Sequence, residues 1–269
     1  MRLVLGENEY DVGNQVAIME KYIVYLCSDA EGKLLFLQIA RENCVEHNSA
    51  LDKSAYMLRK LKEQSNELEE LYAKEHPGET VGYDRMFPEV VQSERSGEDR
   101  GCRVNILSIK LDPKDTVDID KMVPLKKLLD EGMRVDEQTS VWIMGRLLKL
   151  LSFIHERDMT IDIKPDNVLL AGPEQYHNVV LFDWLDLVLG AAGNWRDSIK
   201  AAAKVTLAAL GVKDGWKPSD SHPEYLNFLS ELARGNTDGY ADSLEIHHDF
   251  YEIVKDIWGI QYHPMTVVS

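Results

Sequence analysis

With 269 residues, 44% hydrophobic and 28% charged, the chain reads as an ordinary soluble globular protein, long enough for one large domain or two small lobes. Acidic residues outnumber basic ones by 46 to 30, and the formal net charge of -16 argues against general affinity for nucleic acid or anionic membranes, which need a basic surface. The N-terminal "MRLVLGENEY" lacks the long apolar run of a signal peptide, and no window approaches the roughly 18 apolar residues of a membrane span. Cys27, Cys44 and Cys102 are odd in number and form no CxxC pair, so they suggest neither a zinc site nor a disulfide framework. The expected setting is a reducing cytoplasm, without nucleic-acid or membrane partners.

Strand character dominates the first forty residues, where "YIVYLCSD" and "KLLFLQIA" flank a hairpin turn. From Ser49 the apolar spacing becomes helical, through Leu51, Ala55, Leu58, Leu61, Leu68 and Leu71, until "HPGE" breaks it. Its acidic later part reads as a solvated face over a core stripe. Two further strands, "FPEVVQSE" and "RVNILSIKL", complete an N-terminal unit ending near Asp112. The polar "LDPKDTVDID" then reads as a linker, since it lacks the glycine and terminal glutamate of a calcium loop.

After the linker the chain is mostly helical. "VPLKKLLDEG" ends at the capping glycine Gly132, and Asp136 caps a long helix with Ile143, Leu147, Leu150 and Ile154 on one face. The strand "NVVLFDW" and the helices "DSIKAAAKVTLAAL", "PEYLNFLSELARG" and "HDFYEIVKDIW" follow. His247, His248 and Asp249 read as helix-surface residues, because adjacent helical histidines diverge by about 100°. The five tryptophans are expected to pack in the core, with Trp184 beside any bound nucleotide.

Between the long helix and the strand lies "MTIDIKPDNVLL", with Asp162, Lys164 and Asn167 close together and Asp183 sixteen residues beyond Asn167. Phosphoryl transfer requires such groups: a carboxylate to orient the hydroxyl, a cation for the moving phosphoryl, and an amide and a carboxylate for magnesium. "FIHERDMTIDIKPDNVLL" followed by "VVLFDW" resembles the catalytic loop and metal-binding segment of eukaryotic-type protein kinases. The resemblance implies an α+β, two-lobed kinase-like fold, with a β-rich N-lobe at 1–112 and a helical C-lobe at 113–269. It further implies Asp162 as base with Lys164 beside the phosphate, Asn167 and Asp183 as metal ligands, and ATP and Mg2+ as cofactors.

The departures from that pattern are specific. Thr160-Ile161-Asp162 replaces His-Arg-Asp, removing the usual anchor of a phosphorylated activation loop. "AIMEKYIVY" lacks glycines before Val24, while Gly6 and Gly13 lie too far upstream to substitute. Gln38 takes the place of the ATP-gripping lysine and Ser54 that of its glutamate partner. The nucleotide-binding candidates are therefore Val24, Gln38 and Lys21; Lys21 and Lys33 also read as solvated surface lysines. Asp183-Trp184-Leu185 replaces Asp-Phe-Gly, and only thirteen residues separate Asp183 from Asp197. That short segment looks like small-molecule kinases of the aminoglycoside and choline phosphotransferase type. The acceptor it implies is a small molecule or one dedicated protein partner, and the alternative is a pseudokinase acting as a binding or scaffold module.

Overall fold

The computed structural model describes residues 1–97, 101–111, 117–190, 194–212, 221–259 and 263–268. The fold is mixed α/β, with an antiparallel sheet first and mostly helices after it. None of the described helices is long and apolar enough to cross a membrane. The chain divides into two compact units, Met1–Met122 with Phe182–Leu185, and Val123–Leu181 with Asp186–Ser269. The division expected at residue 112, and the linker residues 112–116, lie outside the described residues.

In the first unit the strands are β1 (Arg2–Leu5), β2 (Asn8–Ile18), β3 (Tyr22–Ser28), β4 (Leu34–Ala40), β5 (Glu89–Arg95) and β6 (Arg103–Ser108). They form one sheet in the order β1-β2-β3-β4-β6-β5, and helix α1 (Val45–Glu75) joins β4 to the later strands. The first hairpin turns on Gly6-Glu7, with Leu5 opposite Asn8 and Gly6 at φ +54°, the left-handed geometry of tight hairpins. Strand alternation separates two faces. Leu35, Leu37, Val104 and Ile106 join an apolar cluster on one, while Phe36, Gln38 and Asn105 occupy the other.

That second face bonds to α1. Leu51, Ala55, Leu58 and Leu61 of α1 are buried, but Leu68 is half-buried and Leu71 exposed, so the expected apolar stripe is covered only over the first part of the helix. The acidic part is held instead by its own loop, where Glu69 accepts from the amides of Val81 and Gly82, both at 3.1 Å.

A polar chain crosses this interface. Asn105 Nδ2 donates to the Leu51 carbonyl at 3.0 Å and to Gln38 Oε1 at 3.4 Å. Asn105 Oδ1 accepts from Ser93 Oγ at 2.6 Å, and Ser93 accepts from Arg103, which pairs with Asp52 on α1 at 2.8 Å. Removing the central amide strands several buried groups at once, at roughly 1–3 kcal/mol for each group left unsatisfied. Asn105→Ala should therefore lower the urea midpoint by more than Lys33→Ala on the exposed β3–β4 turn, as followed by circular dichroism.

The second unit is built around α3 (Glu137–His155), with α2 (Leu125–Asp130), α4 (Trp195–Ala209), α5 (Pro223–Arg234) and α6 (Ser243–Trp258). Asp136 caps α3 as expected, accepting from Thr139 N at 2.8 Å. Ile143, Leu147, Leu150 and Ile154 are buried, and Met144, Leu148, Leu151 and Phe153 bury the flanking faces as well. Short strands close the connections: β7 (Val123–Pro124), β8 (Arg134–Val135), β9 (Met159–Thr160), β10 (Val168–Leu170), β11 (Val179–Leu181), β12 (Val188–Leu189) and β13 (Val267–Val268). They pair as β11-β10-β7, β12-β9 and β13-β8.

Of the tryptophans, Trp184 is fully buried, whereas Trp142, Trp195 and Trp258 are only half-buried; Trp216 lies outside the described residues. An indole can pack its ring while its edge stays wet, which suits the partly exposed helical faces that carry these three. Trp142 stacks on His177 with ring centres 5.1 Å apart.

Burial lowers the pKa of three histidines in this unit: His155 and His247 to about 4 each, and His177 to about 3. Their folded values lie below the ordinary unfolded value, so between that value and about 4 the unfolded chain binds more protons. Stability should thus fall on acidification through this window, by roughly 1.4 kcal/mol per pH unit for each histidine. His177→Phe keeps a ring against Trp142 and should make the acid dependence of the melting temperature shallower; an unchanged profile would contradict this account.

Candidate functional site

The loop after α3 shows how sequence alternation becomes geometry. Ile161 and Ile163 are buried while Asp162 and Lys164 between and beyond them are exposed, so the two apolar side chains anchor the segment and turn the charged pair outward. A 3₁₀ turn over Pro165–Asn167 ends it. Asn167, only 5% exposed, accepts from Lys164 N through Oδ1 and donates through Nδ2 to the Asp162 carbonyl, both at 2.9 Å. One side chain thereby closes the loop on itself.

Lys164 Nζ lies 2.9 Å from Asp186 Oδ2 and 3.2 Å from Asp162 Oδ2. The hydrogen bond to Asp186, followed by that to Asp162, holds the Lys164 pKa above the ordinary lysine range against some loss of solvation, keeping it cationic. The resemblance assigns no role to Asp186, which only the folded chain brings to Lys164.

The segment beyond Asp186 is tied to the same loop. β12 pairs with β9 through Val188–Thr160 and Leu189–Met159, and Gly190 N donates to the Asp158 carbonyl at 2.7 Å. Ser198 on α4, 3% exposed, accepts from Ile161 N at 3.2 Å. Its hydroxyl therefore serves as a backbone anchor inside the fold.

Asp183 belongs to the first unit. Phe182 meets Phe36 of β4 edge-on at 5.3 Å, and Trp184 meets Phe87 at 6.0 Å. Asp183 Oδ1 accepts from Leu185 N at 3.0 Å, and the Leu185 carbonyl accepts from Lys53 of α1 at 2.9 Å. The aromatic neighbours sink into this unit, and Asp183 sits half-buried between them.

The three nucleotide candidates are also in the first unit. Val24 of β3 lies opposite Gln38 of β4, which lies opposite Asn105 of β6. Val24 and Gln38 are both buried, and Gln38 Nε2 and Ser54 Oγ make no hydrogen bond. Lys21 stands in the β2–β3 turn, 3.1 Å from Glu46 of α1. That turn, Met19-Glu20-Lys21, contains no glycine, the residue that would let backbone amides approach a phosphate closely.

A separate cavity of about 500 Å³ lies between α3 and α6, lined among others by Trp142, Arg146, Lys149, His247, Phe250 and Trp258. His247 is half-buried at its edge, while His248 and Asp249 are exposed. Only the fold brings these positions of the two helices together.

No protein-family model and no curated protein matches this chain.

The Asn167 side chain should be the most sensitive point of the loop. Asn167→Ala removes both of its bonds and should cost on the order of 1–3 kcal/mol in urea unfolding. The exposed Asp166→Ala, one residue earlier, should cost far less; equal losses would refute the clamp.

Proposed function

We propose that the chain is a divergent kinase-like phosphotransferase using ATP and Mg2+, with the two-lobed arrangement its sequence motifs imply. The observation that carries this reading is the clamped loop, which holds Asp162 and Lys164 outward on buried isoleucine anchors. Asp162 is the group that takes the proton of an acceptor hydroxyl, an interaction that acts mainly in the transition state. Lys164, kept charged by Asp186, faces the negative charge of the transferring phosphoryl.

The donors suit magnesium in kind. After accepting from Lys164 N, the Asn167 amide oxygen keeps a second lone pair, and Asp183 offers a carboxylate; hard oxygens of this sort hold Mg2+. Their use as a pair rests on the sequence motif. When bound, the ion would neutralise charge on the phosphates. The nucleotide grip of the first unit fits less well, because Gln38 carries no charge and the β2–β3 turn lacks glycine. Weak nucleotide affinity follows. The short segment zipped onto β9 favours a small-molecule acceptor or one dedicated protein partner over generic peptides.

A second reading, a pseudokinase serving as a binding or scaffold module, is favoured by the buried Gln38–Asn105 contact where a lysine would be needed. The cavity between α3 and α6 offers such a module a place to bind.

Thermal-shift and calorimetric titrations separate the two. The enzyme reading expects stabilisation by millimolar ATP only with magnesium, lost in Asp183→Ala. It also expects Asp162→Asn to abolish phosphate transfer to the acceptor while nucleotide affinity stays nearly unchanged. Absence of any ATP–magnesium response in the wild type would leave the scaffold reading in its place.

A further inference from the structure

The loop after β4 and the first turn of α1 bring together Glu42, Cys44 and His47, whose ligand atoms all lie within 4.8 Å of one another. The three cysteines lie far apart and form no CxxC pair, so no zinc site of paired cysteines is expected. The pattern Glu-x-Cys-x-x-His supplies instead one carboxylate, one thiolate and one imidazole from a single turn. We propose that this triad binds a borderline-soft divalent ion of the zinc class, which fastens the exit of β4 to the first turn of α1.

The chemistry and geometry of the site support the inference. Thiolate and imidazole donors select zinc-like ions over magnesium, and three protein ligands leave a fourth, tetrahedral position for water. The edge of a zinc tetrahedron with such ligands is roughly 3.5 Å, a closure that rotation of the exposed Glu42 side chain can supply.

Cys44 is the N-cap residue of α1, and its side chain makes no capping hydrogen bond. With neutral His47, the charges of Cys44 and Glu42 balance those of a divalent ion. His47 Nδ1 is shielded from solvent and has no hydrogen-bond partner, an orphan that coordination of the ion through Nδ1 would satisfy. Glu46, in the same turn, is already engaged by Lys21 at 3.1 Å.

The test uses the full chain, reduced and free of nucleotide, titrated with Co2+. Wild-type protein should develop a thiolate-to-cobalt charge-transfer band with the intense visible bands of a four-coordinate ion, and Zn2+ should bleach both. Cys44→Ser should lose the charge-transfer band, Cys102→Ser should keep it, and Glu42→Gln should weaken binding without affecting the fold, since that side chain is exposed. In the wild type, Zn2+ should also protect Cys44 from alkylation, read by peptide mapping, which requires no variant. Absence of the band and of protection, or an undiminished band in Cys44→Ser, would overturn the proposal. Magnesium produces no such band, so the outcome is independent of the phosphotransferase reading.

Discussion

The side chain of Asn167 is the constraint on which the candidate site depends. A six-residue loop bearing three charges has little reason to hold one conformation in water, because each charged group is solvated equally well in many. Two hydrogen bonds at one buried amide, which accepts from Lys164 N and donates to the Asp162 carbonyl, remove that freedom. The buried Ile161 and Ile163 then fix which way the charged residues face. Everything attached afterwards, the Lys164–Asp186 pair, the β9–β12 pairing and the Ser198 anchor, assumes a loop already closed.

A comparable role in the first unit belongs to Asn105, but with a different consequence. Its amide joins α1 to the centre of the sheet and draws Gln38 into the same polar chain. A lysine at position 38 would meet no carboxylate at position 54, and a buried unpaired charge is far costlier than an unpaired amide. The Gln38–Ser54 combination is thus a neutral solution to a problem that a charged pair solves by mutual attraction. Its residue is two orphan polar atoms, Gln38 Nε2 and Ser54 Oγ. In the proposed function this neutrality is what weakens the hold on phosphate, and in the scaffold reading it is what makes the unit stable without a ligand.

The segment Phe182–Leu185 illustrates how little of a residue's setting comes from its own neighbours in the chain. It follows directly on β11 of the second unit, yet its aromatic rings pack on Phe36 and Phe87 of the first. Burying two large rings outweighs the short continuation of a strand, and Asp183 is carried along between them.

Local patterns made much of this legible from the sequence alone. The strand runs and the α3 core stripe follow from periodicities of 2 and 3.6, and the Asp136 cap from its residue type, none of which needs a partner to be read. The Glu42-Cys44-His47 triad is equally local, but its single cysteine carries none of the spacing of a paired-cysteine site. Tertiary structure alone decided that Asp186 holds Lys164, that Ser198 anchors Ile161, that the stripe of α1 is uncovered at Leu71, and that Asn105 ties Gln38 to α1. The three contacts among these join residues far apart in the chain, and the exposure of Leu71 depends on what the rest of the chain brings over it. A period reports which face is apolar, but it carries no information about which distant donor, acceptor or ring will arrive to cover that face.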